Sequence, residues 1–228
     1  MNNFNVYLYT FVGPLFKQVF SGSLNKLPPV IILARHGQTH FNQAGVIQGR
    51  SDSPLTPTGI AETRKMPDLV SRFRPQAIYS SSLGRAAFSS SIYSQMLGIP
   101  IHFKESLAEL SCGEWEGSRR TDVVGNRSSI RSGWFDRPPF GESYQDGETR
   151  LRPIVDELCS FTDYSCKIVL AHAGLNRALI KLILGLTVED SLFIRFPHDT
   201  VYLIQQDKSL SWLGLSTGSG QGFLREIE

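Results

Sequence analysis

The sequence predicts an α/β fold, a three-layer α/β/α sandwich around a mainly parallel sheet. Short apolar runs of strand length recur along the chain, as at 30–34 and 167–171. Segments of helix length follow them, opened by polar caps and closed by glycine or proline. Strands thus alternate with helices, the order that covers both faces of a parallel sheet. With 228 residues, 41% hydrophobic and 19% charged, the chain can bury one sizeable core without disulfides or metal.

Residues 1–29 read as an extension and 30–228 as the domain. The extension is aromatic (Phe4, Tyr7, Tyr9, Phe11, Phe16, Phe20), and its first basic residue is Lys17. A secretory signal would open with Lys or Arg. Pro14 interrupts an apolar run too short and polar to span a bilayer. An extension packed on the domain, or an upstream start codon, is expected; an interfacial anchor is the sharper alternative.

A strand at 30–34 leads into a polar loop at 35–42. Thr56 followed by Pro57 starts a helix, with a kink or break expected at Pro67. A second strand at 77–80 precedes a helix around 85–97, closed near Gly98 and Pro100. A third short strand is expected at 101–103. Residues 118–141 read mainly as loop, and 146–161 as a helix with a local fault at Pro153. A strand at 167–171 is followed by a helix at 174–184. Strands at 200–205 and 210–215 close the sheet, and the Gly-rich tail from Ser216 is expected to be loose.

The formal charge of +2 argues against nucleic acid or an acidic membrane as partner. Three cysteines (Cys112, Cys159, Cys166), none in a CxxC pair, are neither a disulfide framework nor a zinc knuckle. A reducing, cytoplasmic location is the plain expectation. No Walker loop, dinucleotide fingerprint or metal-ligand cluster stands in the sequence, so no cofactor and no metal are expected.

Two histidines carry the candidate chemistry. His36 follows the first strand in Arg35-His36-Gly37, and His172 follows the strand at 167–171 in His172-Ala173-Gly174. Ligands bind beyond the carboxyl ends of strands in such sheets. His40 and His102 read as surface residues; His198 stands just before a strand, near the site or structural.

Residues 35–42, Arg-His-Gly-Gln-Thr-His-Phe-Asn, resemble the RHGxTxxN signature of the histidine phosphatase superfamily, the phosphoglycerate-mutase-like group. The resemblance continues in register. It runs through Gln48-Gly49, Asp52, Pro54-Leu55-Thr56 and Gly59, then Ser80-Ser81, Leu83 and Arg85-Ala86. It ends with Leu107, Glu109, Gly113, Trp115-Glu116-Gly117 and the second histidine motif, where Ala173 stands in place of the usual glycine. By this resemblance His36 is the nucleophile and forms a phosphohistidine. Arg35 and Arg85 clamp the phosphoryl group with His172, the latter as a cation. Glu109 is general acid and then base, ahead of Glu114 and Glu116. Asn42 adds a donor; Thr39, Gln48, Gly49 and the N–H of Ala173 line the pocket. Residues 141–146 resemble the G-E-S-x-x-D element of the small phosphatases, which makes Glu142 and Tyr144 candidates for a sugar hydroxyl, or simply a turn and helix cap. Cys112 reads as a small buried residue.

These residue types suit phosphoryl transfer. Arginine meets a phosphate with a fixed fork of donors, and a neutral imidazole attacks without a metal. The stretch at 118–141 is short where mutases of this superfamily carry a long insertion, which favours water as acceptor. The expected function is a phosphomonoesterase acting on a small phosphoester (sugar phosphates, phosphoglycerates and the alpha-ribazole phosphate type all fit). The alternatives are mutase-type phosphotransfer and a non-catalytic binder. Either a monomer or a homodimer is compatible.

Overall fold

The computed structural model describes residues 30–125, 129–160 and 165–224. The aromatic extension and Phe161 lie outside the described residues. Seven strands form one sheet: β1 (Val30–Arg35), β2 (Ala77–Ser80), β3 (Ile101–Phe103), β4 (Cys166–Ala171), β5 (Thr200–Gln205), β6 (Leu210–Gly214) and β7 (Gly218–Gln221). Their order is β3-β2-β4-β1-β5-β6-β7. The first four in that order are parallel, and β5, β6 and β7 add an antiparallel flank.

The helices are α1 (His40–Ala44), α2 (Pro57–Val70), α3 (Gly84–Leu97), α4 (Arg120–Val124), α5 (Tyr144–Cys159), α6 (Ala173–Leu184) and α7 (Val188–Leu192). Side-chain alternation along the strands sorts them into layers. Ile31 and Leu33 of β1 face one way, with Val169, Tyr202 and Trp212, and pack on Leu151, Ile154 and Leu158 of α5 and Leu175, Leu179 and Ile183 of α6. Ile32 and Ala34 face the other way, with Ile168, Leu170 and Ile78, and pack on Met66 and Val70 of α2 and Tyr93 of α3. A strand buried on both faces has no polar side, which is why 30–34 is continuously apolar.

Four expectations change. The loop at 35–42 contains α1, capped by Thr39 and closed by Gly45 at φ +67°. Pro67 does not break α2, which runs on to Val70 and ends one turn later, so one backbone hydrogen bond near a terminus is all the ring removes. Helix α5 opens at Tyr144, because Ser143 and Asp146 form a capping box. The Gly-rich tail is strand β7, paired antiparallel with β6. Gly220 there lies flat on Trp212: a Cβ would sit 2.7 Å from the indole, so glycine lets the edge strand close. Among the described residues no helix is long and apolar enough to cross a membrane.

Candidate active site

Strands β1 and β4 run in parallel with Arg35 paired to Ala171. The next residue of each is a histidine, so His36 and His172 emerge side by side with ring centroids 5.1 Å apart. The N–H of His36 donates to Ala171 O at 3.1 Å, which fixes the exit of the loop. Asn176, in the first turn of α6, donates to Ala34 O at 3.0 Å and ties that helix to the end of β1. Gly37 then passes against the start of α2. A Cβ on it would lie 2.3 Å from Thr63 Oγ1 and 2.8 Å from Gly59 O.

The ring of His36 is held at both nitrogens. Its Nδ1 lies 2.8 Å from Gly37 O, which only accepts, so that nitrogen carries the hydrogen. Nε2 then has the lone pair, and it accepts from Arg85 Nε at 3.2 Å. Burial, followed by the fields of His172, Arg85, Arg35 and His198, holds His36 well below the ordinary histidine range. His36 is therefore a neutral imidazole at neutral pH.

Arg85 is buried and firmly mounted. Nη1 donates to Ser51 O at 2.9 Å and Asp52 Oδ1 at 3.0 Å, and Nη2 donates to Gly49 O at 2.7 Å. Glu116 supports this loop, accepting from the N–H groups of Arg50, Ser51 and Cys112. Its carboxyl is held below the usual range by those donors against the cost of burial. Glu116 therefore builds the wall, and Glu114 is exposed. Arg35 donates through Nη1 to Phe196 O at 2.9 Å, while its buried Nε has no hydrogen-bond partner among the described residues. Burial pulls Arg35 down to about 10, so it remains a cation.

His172 Nε2 lies 2.8 Å from Ser81 Oγ, and its buried Nδ1 has no partner among the described residues. Burial and the fields of Arg85 and Arg35 lower its pKa well below the ordinary value. Burial and these cations thus favour the neutral ring of His172. Glu109 caps helix α6: its carboxylate accepts from Gly174 N at 3.1 Å and Leu175 N at 3.0 Å, donors the helix itself cannot satisfy.

These groups open on a cleft of about 320 Å³. Arg35, His36, Asn42, Gln48, Gly49, Arg85, Glu109, Tyr144 and Ala173 all line it. Asn42 turns Oδ1 back onto Thr39 N at 3.1 Å. Gln48 Oε1 is a buried acceptor with no partner among the described residues. Three candidates stand outside this lining: His172, fully buried beside His36, and two that are placed elsewhere. Thr39 is fully buried as the cap of α1 and does not line the cleft. Glu142 also stays out of the lining; it accepts from Ser111 N at 2.8 Å and Arg150 Nε at 3.1 Å. Those partners hold its carboxyl below the usual range despite its burial. Tyr144 faces the cleft, stacked on Trp134 with centroids 4.8 Å apart, and its hydroxyl accepts from Arg177 at 2.9 Å. Cys112 is a buried wall residue whose thiol burial pushes up to about 11.

Further residues join the site, among them His198, for which the sequence leaves a place near the site or a structural role open. His198 packs its ring 5.4 Å from that of His36, and its Nδ1 lies 2.7 Å from His36 O. Burial and Arg35 pull it down to about 3. Arg131, Arg177 and Arg195 also line the cleft.

The carboxyl ends of β1 and β4 thus gather a neutral imidazole, a buried and a half-buried arginine, a second histidine and a carboxyl group at one helix N-terminus. Residues 31–212 match the family model of the histidine phosphatase superfamily, branch 1, and the chain belongs to that superfamily. A protein of Hydrogenobacter thermophilus carrying a phosphoserine phosphatase name is 31% identical over 165 residues, which is 70% of this chain and 81% of that one. A protein of Escherichia coli O1:K1 carrying a phosphoglycerate mutase name is 30% identical over 189 residues, 80% of this chain and 87% of that one. A solved mycobacterial glucosyl-3-phosphoglycerate phosphatase shares the fold with a TM-score of 0.71 at 24% identity, covering 84% of this chain and 99% of that one. The family and the phosphatase-named relatives support a phosphatase.

Proposed function

We propose that this protein is a metal-independent phosphomonoesterase that acts on a small phosphorylated metabolite through a phosphohistidine at His36. One observation carries the reading: His36 is neutral, with its hydrogen fixed on Nδ1, its Nε2 lone pair facing Arg85 Nε and the His172 ring 5.1 Å away. The Nε2 lone pair attacks phosphorus and the bond to the ester oxygen breaks. The leaving oxygen takes a proton from the Glu109 carboxyl. Water then attacks the phosphohistidine, Glu109 takes a proton from it, and phosphate leaves as Nε2 recovers its lone pair. Arg35 and Arg85 bind the phosphoryl oxygens. The substrate's negative charge offsets the positive field on His172 and lets it take up a proton and donate as a cation. The short stretch at 118–141 favours water over a second substrate hydroxyl as acceptor. Mutase-type transfer is the alternative.

The test is phosphate release from a panel of phosphomonoesters in excess EDTA, with acid-stopped samples assayed for phosphohistidine. Release is expected to survive EDTA. In His36→Ala it is expected to fall by at least about 10³-fold, with the phosphoenzyme absent. Turnover by His36→Ala equal to wild type would refute the nucleophile, and loss in EDTA would refute metal independence.

A further inference from the structure

The cleft, at about 320 Å³, is larger than one phosphoryl group needs. Beyond Arg35 and Arg85 its wall contains Arg120, Arg131, Arg177 and Arg195, and among the described residues Glu109 is the single acidic side chain in the lining. Arg195 is mounted in an unusual way. Three successive carbonyls around it each accept from a side chain: Ile194 O from Arg177 Nε at 2.8 Å, Arg195 O from Tyr202 Oη at 2.7 Å, and Phe196 O from Arg35 Nη1 at 2.9 Å. Ile194 and Phe196 are buried in the core, while Arg195 between them is exposed and lines the cleft. The segment that carries Arg195 is therefore pinned to Arg35, the phosphoryl arginine, on one side and to Arg177 on the other. With its backbone fixed in this way, only the side chain of Arg195 has to be ordered when it meets an anion.

We propose that Arg195, with Arg177 beside it, forms a second anion subsite, so that the preferred substrate is a phosphomonoester carrying a further anionic group. That group is a carboxylate or a second phosphate, since either matches the guanidinium fork. The inference rests on the phosphatase reading for its catalytic assay but not for its binding assay.

The experiment compares kcat/KM within two matched pairs. 3-Phosphoglycerate and glycerol 3-phosphate differ by a carboxylate against a hydroxymethyl group. Fructose 1,6-bisphosphate and fructose 6-phosphate differ by the second phosphate. The charged member of at least one pair is expected to be favoured at least about tenfold, the scale of a charge-assisted hydrogen bond. Whichever pair responds identifies the group. In Arg195→Met that ratio is expected to fall to within about twofold of unity, with Arg195→Lys in between. Ratios near one for both pairs in the wild type, or a ratio unchanged in Arg195→Met, would overturn the subsite. If no ester in the panel, p-nitrophenyl phosphate included, releases phosphate, the hydrolase reading fails. Calorimetric binding of the same pairs to wild type and Arg195→Met then decides the subsite by the same ratios.

Discussion

His198→Asn separates the two contributions His198 makes: a hydrogen bond to the His36 carbonyl and a titratable group next to that ring. In the folded protein His198 is pulled down to about 3, first by burial and then by Arg35. In the unfolded chain it titrates at about 6.5. Between these values the unfolded state binds a proton that the folded state does not, so His198 lowers stability as pH falls from about 6.5 towards 3. One proton corresponds to about 1.4 kcal/mol per pH unit. Between pH 7.5 and 4.5 the loss works out at about 2.5 kcal/mol, an upper value because the edge of the ring that faces water is partly solvated. Asparagine offers an amide N–H in place of Nδ1–H to His36 O, so the variant keeps the bond and loses the titration. His172 is common to both proteins and cancels in the difference, and His36 nearly so, since His198 is the smallest of the influences that lower it. Urea unfolding at pH 7.5, 6.0 and 4.5 reads the effect. His198→Asn is expected to gain on the wild type by about 1 kcal/mol at pH 6.0 and about 2.5 kcal/mol at pH 4.5, relative to their difference at pH 7.5. A difference constant across the three pH values would mean that His198 is solvated and ordinary, and the reasoning would be refuted.

Two further predictions concern carboxylates. Glu109→Gln keeps an acceptor oxygen for one of the two α6 amides and has no proton to transfer, so kcat on an alkyl phosphate is expected to fall about 10²–10⁴-fold. With p-nitrophenyl phosphate, whose leaving group needs no proton, the loss should be far smaller; equal losses on both substrates would remove Glu109 from the acid role. Glu142→Ala withdraws the acceptor from Ser111 N and from Arg150, which also donates to Ser106 O and Ala108 O. Urea unfolding should show a cost of about 2–3 kcal/mol, with substrate ratios unchanged. A change of substrate preference at full stability would return Glu142 to the binding site.

The parallel half of the sheet was legible because β1 and β4 are buried on both faces, which leaves a continuous apolar run for each. The two histidine motifs were legible for the same reason: each stands one residue past such a run. What brings them together is a register, Arg35 against Ala171, between strands far apart in the chain. Glu142 is turned from the cleft by partners its local motif does not contain: Ser111 lies in another loop, and Arg150 stands two turns into α5. The cleft arginines escape sequence reading on similar grounds, and for His198 the sequence leaves a site and a structural role equally open. Arg195 is one residue among apolar neighbours, and only the hydrogen bonds from Arg177, Tyr202 and Arg35 show which way the segment is turned. The tail reads as loose because glycine has no side chain to report the Trp212 ring it covers.

A neutral nucleophile in a cavity lined by cations poses its own problem, since any donor placed to bind phosphate can also occupy the nucleophile's lone pair. Arg85 does so here, with its Nε–H on His36 Nε2. Its other donors are fixed on Gly49, Ser51 and Asp52, so the guanidinium cannot swing away to clear the nitrogen. In the proposed reaction the substrate resolves this. A phosphoryl oxygen carries more negative charge than an imidazole nitrogen and is the stronger acceptor. Its arrival draws the Nε–H by a small shift and leaves the lone pair pointing at phosphorus. Burial first, and the positive field after it, keep His36 and His172 unprotonated, and the substrate's charge offsets the second of these. Nucleophile release, phosphoryl binding and charging of His172 then follow from one event, the arrival of the substrate's charge, and the Glu116-supported loop that anchors Arg85 is what keeps the required movement small.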